Sequence, residues 1–221
     1  MQPPIQQAYH PPKGPVRVIH QDGTLLVVDK PTGLLSVPGK AKELSDCLLA
    51  RVERESPGAL LVHRLDMDTS GVMVFAQSKA AQRHLGLQFE RRHIEKQYLA
   101  EVDGIVREDR GEIALPLIAD WPNRPLQKVC FETGKPALTA WEVLERRAQT
   151  TVLALYPHTG RSHQLRVHCK EISRPIVGDR FYGGPPAERL MLHAYTLTLR
   201  HPEGGAPHTF TAPPPKALDL G

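Results

Sequence analysis

Aromatic residues are scarce in this chain, at 5% of 221 positions, and cysteine occurs only three times. Cys47, Cys130 and Cys169 are far apart and odd in number, which suits a reducing compartment and excludes a disulfide framework or a zinc ribbon. No apolar run approaches the roughly 20 residues that a membrane-spanning helix needs. The stretch Met1-Gln2-Pro3-Pro4-Ile5-Gln6-Gln7 lacks the charged start and apolar centre of a secretory signal, so a cytoplasmic protein without membrane contact is expected. Gly-x-x-x-x-Gly-Lys, Gly-x-Gly-x-x-Gly and Cys-x-x-Cys are all missing. Their absence removes the common signatures of nucleotide, dinucleotide and thiol redox chemistry.

What remains is an ordinary globular composition, 40% hydrophobic and 24% charged, enough for one sizeable domain. The formal charge is +4, with eleven histidines counted as neutral. That balance permits a polyanionic partner without identifying one. Basic residues gather at Arg91, Arg92 and Lys96 and recur at Arg161, Arg166, Lys170, Arg174 and Arg180, whereas Arg146-Arg147 reads as a solvated face.

Residues 1–15 hold five prolines and read as a flexible or draped extension. Val16–His20 and Thr24–Asp29 flank Asp22-Gly23 as a hairpin. Ser45 is expected to cap a helix through Glu55, with Leu48, Leu49 and Val52 inward. Ala59–Val62 and Val72–Ala76 read as buried strands, and Ser78 caps a second helix to about Arg92 with the stripe Ala81, Leu85, Phe89. Strands are expected at Ile94–Val102, Ala137–Leu144, Thr151–Tyr156, Leu190–Leu199 and His208–Thr211. Between them lie a proline-broken segment, 115–125, and a helix over Ser162–Ile172 with His163, Arg166 and Lys170 on its polar face. Helices interleaved with hairpin-connected strands indicate an α+β fold with a mostly antiparallel sheet.

Two strands flank His63-Arg64-Leu65-Asp66-Met67-Asp68-Thr69-Ser70-Gly71, so Asp66 leaves a hydrophobic core for a short polar connection. A scaffold can hold a reactive carboxylate rigidly there and leave it accessible. For metal binding the histidines are poorly placed. His163 and His168 lie five apart, on different helix faces, and no carboxylate stands at a useful spacing among His158, His163, His168 and His193. No metal and no other cofactor are expected.

The nine-residue pattern around Asp66 resembles the signature of the RluA family of RNA pseudouridine synthases. Three further segments match in chain order: Lys96-Gln97-Tyr98-Leu99-Ala100; Thr159–His168 followed by Pro175–Asp179; and Leu192-His193-Ala194. The resemblance implies a pseudouridine synthase-like catalytic domain over 16–221, with flanking helices, a central RNA-binding cleft and no S4 domain. It implies a cofactor-free isomerase in which Asp66 is the catalytic residue, Arg166 the cation that keeps it ionised and Tyr98 the stacking face for the target uracil. It makes Leu192 an apolar wall and Arg64 a base-flipping and RNA-contact residue, assisted by His63. Asp68 would cap the following turn.

Asp120–Pro125, Gln127–Cys130, Glu132–Pro136 and Leu35–Gly39 resemble one dual-specificity subgroup. Its substrates are uridine 32 of certain tRNA anticodon loops and uridine 746 of 23S rRNA; no obligatory protein partner is evident. Three alternatives stand beside this reading: a relative acting on another rRNA or tRNA uridine, an inactive RNA-binding homologue, and a hydrolase pairing Asp66 with His63 or His163.

Overall fold

In a computed structural model, residues 9–220 are described. In chain order the strands are β1 (Arg17–Gln21), β2 (Leu25–Lys30), β3 (Leu60–Leu61), β4 (Ser70–Ala76), β5 (Glu95–Asp103), β6 (Arg110–Ile113), β7 (Leu117–Ala119), β8 (Gln127–Val129), β9 (Thr139–Arg146), β10 (Thr150–Pro157), β11 (Leu192–Arg200) and β12 (Pro207–Thr211). The α-helices among the described residues are α1 (Leu48–Glu55), α2 (Lys79–Glu90) and α3 (Gln164–Glu171). This is the expected α+β class, with a large and mostly antiparallel sheet. The chain divides into two compact units, where the sequence reading has one domain over 16–221. One unit joins Tyr9–Tyr98 to His193–Pro215; the other is Leu99–Leu192 with 216–220.

In the first unit the strands run β1-β2-β4-β11, with β12 on β11 and β3 on β4. The β1–β2 hairpin forms at the predicted turn because the Asp22 carboxylate accepts the N–H groups of Thr24 and Leu25, at 2.7 and 2.8 Å. Strand β4 is buried along its whole length. Its β2 edge is paired from Leu25↔Ala76 to Lys30↔Gly71. Elsewhere it pairs with β11 in parallel at Ser70 and Gly71 and with β3 at Phe75 and Ala76. Ala59–Val62 thus yields only a two-residue, half-buried strand, because little of β4 remains for it to pair with.

Helix α2 starts at Ser78 as expected, with the Ser78 hydroxyl accepting the Ala81 N–H, and buries Ala81 and Leu85. Gln88 joins the buried face because its amide both donates to and accepts from the Arg200 backbone, each at 2.8 Å. Helix α1 corrects the expected cap. Cys47 occupies it through its sulfur, while Ser45 ends a preceding 3-10 turn. Arg51 replaces Leu49 on the buried face, neutralised by Asp46 at 2.8 Å and donating to the Pro12 carbonyl. Tyr9 similarly donates to the Asp46 carbonyl, so 9–15 drape over α1. Residues 1–8 of the predicted extension lie outside the described residues.

In the second unit the order is β5-β10-β9-β6; β7, inside the proline-broken segment, pairs with β8 just beyond it as a separate two-stranded sheet. Neither β6 nor β7–β8 is legible from periodicity. Their three or four residues are too short for an alternation to register. Arg146 is exposed as expected while donating to the Val106 and Arg107 carbonyls, and the half-buried Arg147 pairs with Glu101 at 3.2 Å.

Candidate active site

Asp66 lies in an irregular, half-buried segment between β3 and β4, and its carbonyl accepts the Thr69 N–H to close a turn. The segment has no regular partner strand of its own. Its backbone is instead gripped by side chains from the loop after β2. The Ser36 hydroxyl donates to the Leu65 carbonyl (2.7 Å) and accepts the Leu65 N–H (3.1 Å). Lys30 donates to the Met67 carbonyl at 2.8 Å, and Thr32 to the Asp68 carbonyl at 2.6 Å. Four consecutive residues, 65–68, thus have one clamp or hold the turn.

Lys30 is fully buried, and its ammonium also donates to the carbonyls of Leu34 and Pro31, at 2.6 and 3.0 Å. A buried charge survives where oxygen dipoles replace its water. Behind the turn, Gly71 has φ +116°, and a Cβ there would run into the Ala194 backbone. Only glycine permits β4 and β11 to approach so closely at that conformation.

His63 serves the same frame. Its Nε2 accepts the Val74 N–H at 3.1 Å, and its ring stacks on Phe89 at 4.6 Å. This gives a partner to the Val74 amide, which lies between the β11-paired and β3-paired stretches of β4. Burial, helped by the nearby Lys96 charge, pushes the imidazole down to about 3, so it stays neutral. Lys96 is itself pushed down to about 8 by burial and by Arg92. Arg64 is exposed. It sits in the irregular run between β3 and the Asp66 turn.

Tyr98, on β5, packs against the core of the same unit. Burial raises its phenol far above the ordinary range, and the Asp66 carboxylate adds to the shift. The sequence-predicted carboxylate and tyrosine are therefore electrostatic neighbours.

The remaining predicted residues belong to the second unit. Leu192 is buried at the start of β11. Arg166 is 3% exposed, because α3 buries every residue from Gln164 to Cys169 rather than one stripe. Its guanidinium makes a bidentate pair with Asp179, at 2.8 and 2.7 Å, over the rings of Phe181 and Tyr182. Asp179 also accepts the N–H groups of Phe181 and Tyr182. The Tyr182 hydroxyl in turn bonds His163 Nδ1 (2.7 Å) and accepts the Gln127 N–H (2.9 Å). His168 bonds Thr139 and the Leu115 carbonyl; His193 bonds Ser70 and the Ala212 carbonyl. These imidazoles serve the framework.

Lys30, Ser36, Asp179 and Tyr182 were not singled out from sequence. Lys30-Pro31 at the end of an apolar strand was the available signal, but a terminal lysine normally reaches solvent.

The profile of the RNA pseudouridylate synthase family matches residues 24–171. The dual-specificity RNA pseudouridine synthase RluA of Escherichia coli K12 is 54% identical over 211 residues, covering 93% of this chain and 96% of that protein. Its counterpart in Salmonella typhimurium is 52% identical, with the same 93% and 96% coverage. Among solved structures, human RNA pseudouridylate synthase domain containing 1 superposes with a TM-score of 0.78 at 28% identity, covering 99% of this chain and 89% of that one. With Asp66 on a clamped turn and Tyr98 on β5 close enough to feel its charge, the chain belongs to the RNA pseudouridylate synthase family, isomerases that convert uridine to pseudouridine in RNA.

Proposed function

We propose that this protein is a dual-specificity synthase acting on stem-loops of tRNA and 23S rRNA in the cytoplasm, at uridine 32 of anticodon loops and at uridine 746. The names and high identity of the bacterial relatives support the two RNA classes. The subgroup-like segments around Asp120–Pro136 support the two positions.

Both units are assigned to one catalytic domain, since the family match runs through each of them. Isomerisation breaks the N1–C1′ bond, turns the uracil and forms a C5–C1′ bond. N1 gains a proton and C5 loses one, so no atom is gained or lost overall. Asp66 is proposed as the carboxylate at the glycosidic bond. The observation that carries this is its place beside Tyr98 on a backbone held from Ser36, Lys30 and Thr32.

Tyr98 stays protonated at neutral pH, so it enters the reaction as a stacking face and donor. It takes a proton from C5 only if its own leaves at the same time, with Asp66 the neighbouring acceptor. Arg166 as the counter-cation and Leu192 as the apolar wall rest on the family resemblance. Asp179 supplies the anchoring that keeps the Arg166 guanidinium in one orientation. Arg64, exposed beside the turn, is the RNA-contact residue that fills the space left by the extruded base. His63 supports the turn from below.

Pseudouridine mapping of RNA from cells lacking the protein tests the target. Loss of signal at both positions, restored by the wild-type gene, is the expected result. Loss at any other uridine would instead favour a relative with a different site.

A further inference from the structure

The β7–β8 hairpin belongs to none of the roles above, yet it carries the chain's most conspicuous surface chemistry. At its tip Trp121 is 65% exposed. The Arg124 guanidinium lies 3.9 Å from the centre of the indole. The turn beneath is stiff: the Asp120 N–H donates to the Leu126 carbonyl at 2.9 Å, the Asn123 N–H donates to the Asp120 carbonyl, and the Asn123 amide donates to the Asp120 carboxylate at 2.8 Å. At the hairpin's foot is a cavity of 430 Å³. Gln127, Thr133, Lys135, Arg161 and Ser162 face it along with small and apolar residues of β7, and its lining includes no carboxylate. The volume lies within the range of small-ligand pockets, roughly 300–1,000 Å³.

An exposed tryptophan by itself is unremarkable surface. Here one face of the indole is covered by a cation on a rigid turn, and the site below is rich in hydrogen-bond donors and positively charged. That combination suits a nucleic-acid strand, with a base for the ring and a phosphodiester for the cations. It does not suit an apolar protein surface.

We propose that the β7–β8 hairpin is a second RNA-binding element, in which Trp121, splinted by Arg124, stacks on an unpaired base other than the target uridine while Lys135 and Arg161 hold a backbone phosphate in the cavity. The proposal rests on the RNA-modifying reading but not on the identity of the catalytic residue. Its test is therefore a binding measurement made in the Asp66→Asn protein.

The chain has two tryptophans, and Trp141 is only 9% exposed. Titrating an anticodon stem-loop RNA should quench indole fluorescence. The quench should disappear in Trp121→Phe and persist in Trp141→Phe. Trp121→Ala should weaken the RNA about tenfold with an unchanged melting temperature. Lys135→Gln should lower the slope of log Kd against log salt by about one. A quench that survives Trp121→Phe, unchanged affinity in Trp121→Ala, or an unchanged salt slope would overturn the proposal. So would a Trp121→Ala protein that keeps its RNA affinity and loses a protein complex instead.

Discussion

The Asp66 turn and the β7–β8 hairpin are both short irregular segments, and they are built in opposite ways. Residues 65–68 are held from within: side chains of Lys30, Thr32 and Ser36 bind their backbone. The hairpin is held by its own turn and presents a large ring outward. The difference teaches how the work divides. A reacting carboxylate needs placement to within a fraction of an ångström and partial exclusion of water, whereas a contact to a pliant RNA strand needs area and charge.

Substitutions that separate placement from chemistry probe this contrast most sharply. Asp66→Ala should cut tritium release from 5-tritiated uridine RNA by on the order of 10³-fold, with RNA affinity and melting temperature retained. Persisting turnover in the purified variant would end the catalytic assignment.

Lys30→Met leaves buried carbonyls of Pro31, Leu34 and Met67 without their donor. It should cost about 3 kcal/mol in urea unfolding and lower activity along with stability. A variant as stable as the wild type would show that the internal clamp is dispensable. Tyr98→Phe keeps the ring and removes the hydroxyl; turnover should fall about 10²-fold while RNA affinity holds. In Asp66→Asn the Tyr98 phenol should titrate at lower pH than in the wild type, because a repelling charge is gone. No movement of that titration would separate the two residues.

A separate effect is on acid stability. The His63 imidazole titrates at about 3 when folded, against 6.5 ordinarily. Between those values the unfolded chain binds the extra proton, so this contribution is intact above pH 6.5 and is lost as pH falls towards 3. His63→Gln should flatten that part of the stability curve, measured by urea unfolding from pH 7 to 4. An unaltered slope would remove His63 from the frame.

Much of the fold was legible before the structure. The β1–β2 turn, the Ser78 cap and the β9–β10 pair depend on neighbours in sequence, and Asp22-Gly23, Ser78 and alternating apolar residues signal them locally. The elements that escaped depend on remote partners. Ala59–Val62 is apolar enough for a strand, but only β4 could tell how much pairing was left for it. Arg166 read as a polar-face helix residue until Asp179 came to meet it. Asp66 and Tyr98 stood out as members of motifs with a role; Lys30 did not, and Ser36 appeared only within Leu35–Gly39 with no role, because their partners are backbone carbonyls and an amide, which no sequence pattern displays.

By itself, then, the sequence determined the reaction class and the fold class, since those are written in short contiguous motifs and in the regular periods of strands and helices. Only the tertiary structure decided how Asp66 is held, why Gly71 must be glycine, and which charges are buried against a partner. The first two are contacts between segments tens of residues apart, and the last needs side chains that the fold brings together. Such contacts exist only once the chain has closed on itself and each buried polar group must find a partner.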